Sequence, residues 1–121
     1  MGNCIEWKDI EGCNGRYQIN QFGDIKNSNG RLMSTWKTSK GYISVTLQVD
    51  KQKRNFRINR LVAQTFIPNP ENKPCVDHIN GIKTDNRVEN LRWVTYSENN
   101  NNPNTKQRFY NMMWNTKKET N

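Results

Sequence analysis

Apolar and polar positions alternate with period two along three stretches of the first half of the chain, Arg16–Asn20, Tyr42–Val49 and Lys53–Ile58. Successive side chains of a strand face opposite ways, so each stretch predicts a strand with one buried face. Gly12, Gly15, Gly23, Gly30 and Gly41 punctuate these stretches like turn positions, and Asn14–Gly15 and Asn29–Gly30 are type I′ hairpin signals. The simplest assembly is one twisted antiparallel sheet with a basic face. In it Phe56 and Ile58 point inward, and Arg54, Asn55 and Arg57 mostly outward.

The period changes at Asn59. Asn59–Ile67 reads as a short helix with Asn59 as its cap, Leu61, Val62, Thr65 and Phe66 on one face, and Pro68 and Pro70 ending it. A strand over 74–78, a polar loop through Asn90, a strand over 91–95 and a helix opened by Ser97 follow. From about Asn100 the pattern fades.

At 121 residues the chain has room for one domain of common size, or a core with a small appended module. Its hydrophobic fraction of 32% is below the roughly 45–50% of ordinary soluble domains, which predicts a small core supplied largely by Trp and Phe. The net charge of +8 is unevenly placed: residues 31–60 carry eight basic side chains and one acidic, whereas residues 1–30 carry three and four. Such a strip is either a solvated face or a track for a nucleic-acid backbone. Three cysteines, Cys4, Cys13 and Cys75, cannot all pair, and one histidine rules out the usual two-Cys, two-His zinc arrangement. They read as reduced thiols of an intracellular protein, with Cys75 buried. No signal peptide and no apolar run near the ~20 residues of a membrane span occurs, so a soluble protein without membrane association is expected.

Residues 75–99 carry the candidate chemistry. The one histidine, His78, follows Asp77 directly; the Asn80–Gly81 turn signal comes next, then Asn90, then Asn99 just after Ser97. Cutting a phosphodiester requires a nucleophilic water, charge to offset the phosphorane, and help for the departing 3′ oxygen. An imidazole titrating at about pH 6.5 takes the water's proton under cell conditions. Asp77 supplies a hard anionic ligand and Asn99 a neutral carbonyl one for a Mg²⁺ ion, whose shell substrate phosphate and water would complete. In a regular strand Asp77 and His78 face opposite ways, so both reach one cleft only where the strand ends or bulges. Each residue also has an uneventful explanation: a surface Asp–His pair, a turn-capping Asn90, an Asn99 belonging to a polar tract. Their joint spacing favours the site.

Those residues resemble a known family. Arg60–Pro70, then Val76-Asp-His-Ile-Asn-Gly, Asn86–Thr95 and Ser97-Glu-Asn look like the HNH homing endonucleases of phages and introns, and Trp7–Gly12 with Tyr17–Asn20 and Phe22–Gly23 resembles the module that commonly precedes that nuclease. The resemblance implies an α+β protein: a small N-terminal antiparallel β-sheet module (1–58, basic and DNA-binding) and a ββα-metal HNH core (59–102); it does not extend over 103–121, a basic C-terminal tail that reads equally as a second helix or a DNA-contacting arm. It implies His78 as general base, Asp77 and Asn99 as ligands of one divalent ion (Mg²⁺, with Mn²⁺ able to serve), and Asn90 as the residue that braces the loop and orients the histidine. The products would carry 5′-phosphate and 3′-hydroxyl ends. Many relatives continue into a further DNA-binding region absent from the pattern at 103–121, so weakly specific nicking or partnership with another phage protein is expected.

The expected partner is double-stranded DNA, gripped by Lys53, Arg54, Arg57, Arg60, Lys37 and Lys40, with no small-molecule cofactor. A monomer in the host cytoplasm is the expected state. Two competitors stand beside this reading: a non-catalytic DNA-binding module that kept the fold, and an RNA-binding protein stacking bases on Trp36, Tyr42 and Phe56.

Overall fold

The computed structural model of the protein describes residues 4–100. Its elements are β1 (Trp7–Asp9), β2 (Tyr17–Asn20), β3 (Ile25–Asn27), β4 (Thr35–Lys37), β5 (Ile43–Val49), β6 (Gln52–Arg57), α1 (Ile58–Phe66), β7 (Cys75–His78), β8 (Leu91–Val94) and α2 (Tyr96–Asn100), with one 3-10 turn at Val88–Asn90. The fold is α+β with antiparallel pairing throughout, as the change of hydrophobic period predicts. The tail over 103–121 lies outside the described residues.

The first half forms two three-stranded sheets, β1–β2–β3 and β4–β5–β6, rather than the one sheet expected; β7 and β8 form a third. The segment after β3 folds back on it through a Lys26–Leu32 bridge and a Met33 N–H to Ile25 carbonyl bond of 2.7 Å, so β4 starts a new sheet. The tight β5–β6 turn is made by Asp50 and Lys51, at φ 52° and 66°. Two left-handed residues match the twist of the flanking strands, here without glycine.

Register divides the second sheet cleanly. Val45 pairs with Phe56 and Leu47 with Arg54, while Ser44 pairs with Arg57, Thr46 with Asn55 and Gln48 with Lys53. One face therefore carries the buried Val45 and Leu47, and the other carries Lys53, Asn55 and Arg57. β6 runs directly into α1, which makes Arg57 the N-cap position and leaves Asn59 inside the first turn, 5% exposed, instead of capping it. Leu61 and Val62 are buried as the helical spacing predicts, joined by Ile58 and Ala63.

One cluster unites Ile10, Cys13, Tyr17, Ile19 and Ile25 with Val45 and Leu47 of the second sheet, Ile58, Leu61 and Val62 of α1, and Leu91 of β8. Each aliphatic side chain buried there contributes about 1.5–3 kcal/mol. The Gln48 N–H donates to the Tyr17 hydroxyl at 3.0 Å, fastening the first two sheets together. The core is thus aliphatic more than aromatic: Phe22 and Trp36 stay 42% and 40% exposed. Cys13, not Cys75, is the buried thiol, and burial pushes its pKa up. Among the described residues no helix is long and apolar enough to cross a membrane.

Candidate active site

The β7–β8 ladder is regular from Cys75–Val94 through Val76–Trp93 and Asp77–Arg92 to His78–Leu91. No bulge separates Asp77 from His78; β7 simply ends at His78. The Gly81 N–H closes the following turn on the His78 carbonyl at 2.8 Å, with Gly81 at φ 78°. Alternation sends the two side chains to opposite faces at the strand's end, and both are buried, 2% and 6% exposed. Each is held separately. The Asp77 carboxylate accepts from Arg92 Nε at 3.0 Å, a pairing that follows from their cross-strand register. His78 Nε2 lies 2.8 Å from Asn86 Oδ1, and the imidazole stands 6.3 Å from the Tyr42 ring, centroid to centroid.

The loop after β7 is held by asparagine chemistry. The Asn90 carboxamide accepts from the Asn80 N–H at 3.0 Å and donates to Asn80 Oδ1 and the Asp85 carbonyl, both at 2.9 Å. These bonds tie Asn90 to both ends of the loop, whereas the side chain bonded to the imidazole is that of Asn86. With three bonds lost, to an exposed Asn80 and a half-buried Asp85 that water can partly reach, Asn90→Ala is expected to cost about 1–3 kcal/mol. A melting curve should then fall by on the order of 10 °C at about 4–8 °C per kcal/mol; an unchanged melting point would remove the bracing role.

Asp85 completes the loop. Its carboxylate takes two bonds from Arg87, 2.8 and 2.9 Å, and one from Asn80 at 2.9 Å. The Arg87 bond, chiefly, lowers its pKa from 3.8 to about 2. A depressed carboxylate stabilises the fold above its ordinary pKa and loses that contribution as pH falls through the folded value. Asp85→Asn should accordingly lower the melting temperature at pH 7 and leave it unchanged near pH 2.

α2 packs against β7 and β8. Its cap is Thr95, not Ser97: Thr95 Oγ1 accepts from the Glu98 N–H at 3.1 Å, and Glu98 Oε1 accepts from the Thr95 N–H at 3.0 Å. This reciprocal pair, together with Lys73 at 3.0 Å, keeps the Glu98 carboxyl below its ordinary pKa. Asn99 is half-buried, and its N–H makes the bond to the Thr95 carbonyl at 3.0 Å. Among the described residues no three His, Cys, Asp or Glu side chains cluster as a metal cage. Asp77 on β7 and Asn99 on α2 are oxygen donors of the type a hard divalent ion takes, and the two elements pack together.

The basic candidates do not share one face. Lys53 and Arg57 stand on the outer face of the second sheet, with Trp36 beside Ser44. Arg54 and Lys37 belong to the opposite face by register, Lys40 sits in the β4–β5 turn, and Arg60 on α1 reaches the Pro74 carbonyl at 3.4 Å. Trp36 and Phe56 likewise lie on opposite faces, which leaves no continuous stacking platform with Tyr42. Tyr42 instead carries the Arg57 guanidinium 4.1 Å and the Lys83 ammonium 4.6 Å from its ring centroid, and Lys83 Nζ donates to the Lys40 carbonyl at 2.9 Å. Two cations thus approach the ring that neighbours His78. Sequence reading missed Asn86, Tyr42's place beside the histidine, and Lys83. In a chain so rich in asparagine nothing marks Asn86.

Residues 59–101 match the HNH endonuclease family. An uncharacterized HNH endonuclease of Acanthamoeba polyphaga mimivirus is 48% identical over 100 residues, 77% of this chain and 24% of that protein. The DNA endonuclease I-HmuI of Bacillus phage SP01 is 35% identical over 96 residues, 78% of this chain and 55% of its own length. The solved structure describing DNA binding and cleavage by the HNH homing endonuclease I-HmuI superimposes with a TM-score of 0.73 at 35% identity, covering 83% of this chain and 60% of that one. The chain thus spans a quarter to somewhat over half of the relatives it matches.

Proposed function

We propose, from a chain whose residues 59–101 belong to the HNH endonuclease family, that the protein is a metal-dependent endonuclease hydrolysing phosphodiester bonds of double-stranded DNA. The observation that carries this reading is the end of β7. There a buried carboxylate and a buried imidazole, adjacent in sequence, leave opposite faces of one strand, each fixed by its own bond of 3.0 and 2.8 Å. A phosphodiester crossing that end would meet Asp77 on one side and His78 on the other. The phage relative, described as binding and cleaving DNA, supports the same chemistry.

His78 then takes the proton of the attacking water. Asp77, oriented by Arg92, and Asn99, presented by α2, would hold one Mg²⁺ or Mn²⁺. When bound, that ion offsets charge on the phosphorane and on the departing 3′ oxygen. Asn90 keeps the intervening loop in shape without touching the reacting atoms.

The outer face of the second sheet offers Lys53 and Arg57 to phosphates, with Lys40 in the neighbouring turn; Arg54 and Lys37 face the other side of the sheet, and Arg60 lies on α1. Among the described residues no carboxylate forms an ion pair with Arg57, so its charge is available to DNA. Arg57→Ala should weaken duplex binding across sequences and reduce the slope of log K against log salt by about 1. An unaltered slope would take Arg57 out of the interface.

The test of the reaction is a nicked plasmid and a ligase. Purified protein with Mg²⁺ should open supercoiled DNA, EDTA should prevent it, and DNA ligase should reseal the nicks, since hydrolysis of the P–O3′ bond leaves 5′-phosphate and 3′-hydroxyl ends. Duplex bound tightly but never opened, with any divalent ion, would favour the non-catalytic binding module. Preference for RNA over duplex DNA would favour the stacking alternative.

A further inference from the structure

We infer that Ile82, with Ile79 beside it in the β7–β8 loop, is an apolar wedge that enters a groove of the duplex and opens a base step next to the phosphodiester that is cut. The inference rests on the reading of the protein as a DNA endonuclease and adds how substrate reaches a recessed site. Asp77 and His78 are 2% and 6% exposed. The backbone of an undistorted duplex has to be pressed towards the end of β7 to meet them.

In a chain only 32% hydrophobic, Ile82 and Ile79 are nonetheless 53% and 42% exposed. Single exposed apolar side chains are ordinary; these two follow His78 closely and stand on a turn that is fixed in place. The Ile79 N–H donates to the Asn90 carbonyl at 2.8 Å and the Ile82 N–H to Asn80 Oδ1 at 2.9 Å, while the Ile82 carbonyl accepts from the Asp85 N–H at 3.1 Å. Those bonds hold both side chains out, and a β-branched side chain on a fixed backbone has little rotamer freedom. A wedge between stacked bases needs that stiffness, and isoleucine is among the side chains that part base steps.

The charge beside the loop selects the occupant. Lys83 follows Ile82 directly and places its ammonium 4.6 Å from the Tyr42 ring centroid, where the Arg57 guanidinium lies 4.1 Å away. The same ring stands 6.3 Å from the imidazole. An apolar protein surface would gain nothing from two cations gathered there. A duplex offers its phosphates to them and its base faces to the isoleucines. Opening a base step bends the duplex, the deformation that a recessed carboxylate and imidazole require.

Untwisting of the duplex can be read without cleavage. Closed-circular plasmid incubated with the full chain, EDTA and a topoisomerase that needs no metal should emerge with a lowered linking number once protein is removed. Ile82→Ser should lose most of that shift at equal protein bound. With Mg²⁺ it should slow single-turnover cleavage by about 10-fold or more, since a small misplacement of reacting atoms costs up to about 10²-fold. Ile82→Leu keeps an apolar tip and should retain both, and melting curves establish that each variant folds. Wild-type protein that binds the plasmid without changing its linking number overturns the inference whatever the variants do. So does an Ile82→Ser protein that still untwists DNA, or that cuts at the wild-type rate. Untwisting by wild type and not by Ile82→Ser, in a protein that cuts no DNA, supports the wedge and sinks only the nuclease reading.

Discussion

His78→Ala is expected to slow duplex cleavage by about 10²–10⁴-fold, the contribution of a positioned general base, while duplex affinity stays within about twofold. The asymmetry comes from where the ring sits. At 6% exposure it is too enclosed to serve as a phosphate contact, and the charge that would bind DNA lies on Lys53 and Arg57, which are exposed. Removing the ring strands Asn86 Oδ1, at about 1–3 kcal/mol, so a melting curve belongs beside the kinetics. Single-turnover cleavage and fluorescence anisotropy on the same labelled duplex give both quantities. Binding that collapsed together with cleavage in a folded variant would mean that His78 holds substrate rather than taking a proton.

Asp77→Asn is expected to be nearly as damaging, by about 10²-fold or more, since the metal's charge stabilisation is worth several kcal/mol and each 1.36 kcal/mol is tenfold in rate. Asparagine keeps the shape and can still accept from Arg92, whose side chain is 47% exposed and remains solvated. The fold should therefore survive, and the loss should appear as a rate that saturates only at a higher Mg²⁺ concentration. Cleavage saturating at the same Mg²⁺ level in Asp77→Asn and wild type would take Asp77 out of the metal site.

Much of this was legible before any coordinates. Strands alternate with period two and α1 with its own period, so β5, β6 and α1 announce themselves within a residue or two. The division of the first half into two sheets was hidden, because a backbone bridge such as Lys26–Leu32 leaves no mark in side-chain pattern. Caps were misplaced for a related reason. Asn59 is a good capping residue by type, yet β6 passes into α1 without a linker, so the position it would cap does not exist. Thr95 with Glu98 has the capping-box spacing, while Ser97, equally a capping type, lies inside the first turn of α2.

At the site, Asp77 and His78 stand out in sequence because the chain has one histidine and it follows an acid directly; the structure ends β7 at His78 and leaves the two side chains on opposite faces. Asn86 was not visible. Its role depends on an eight-residue loop bringing it back over the ring, and asparagines on either side look the same in sequence. The basic residues were found by type but not by face: Arg54 and Arg57 are three apart, and period two sends them to opposite sides of β6.

The most direct measurement is supercoiled plasmid incubated with wild type and with His78→Ala, each with Mg²⁺ and each with EDTA. Open-circle or linear DNA in the wild-type Mg²⁺ reaction alone is the result this account predicts. Equal cleavage by both proteins, or cleavage that survives EDTA, would contradict a metal-dependent nuclease with His78 as its base.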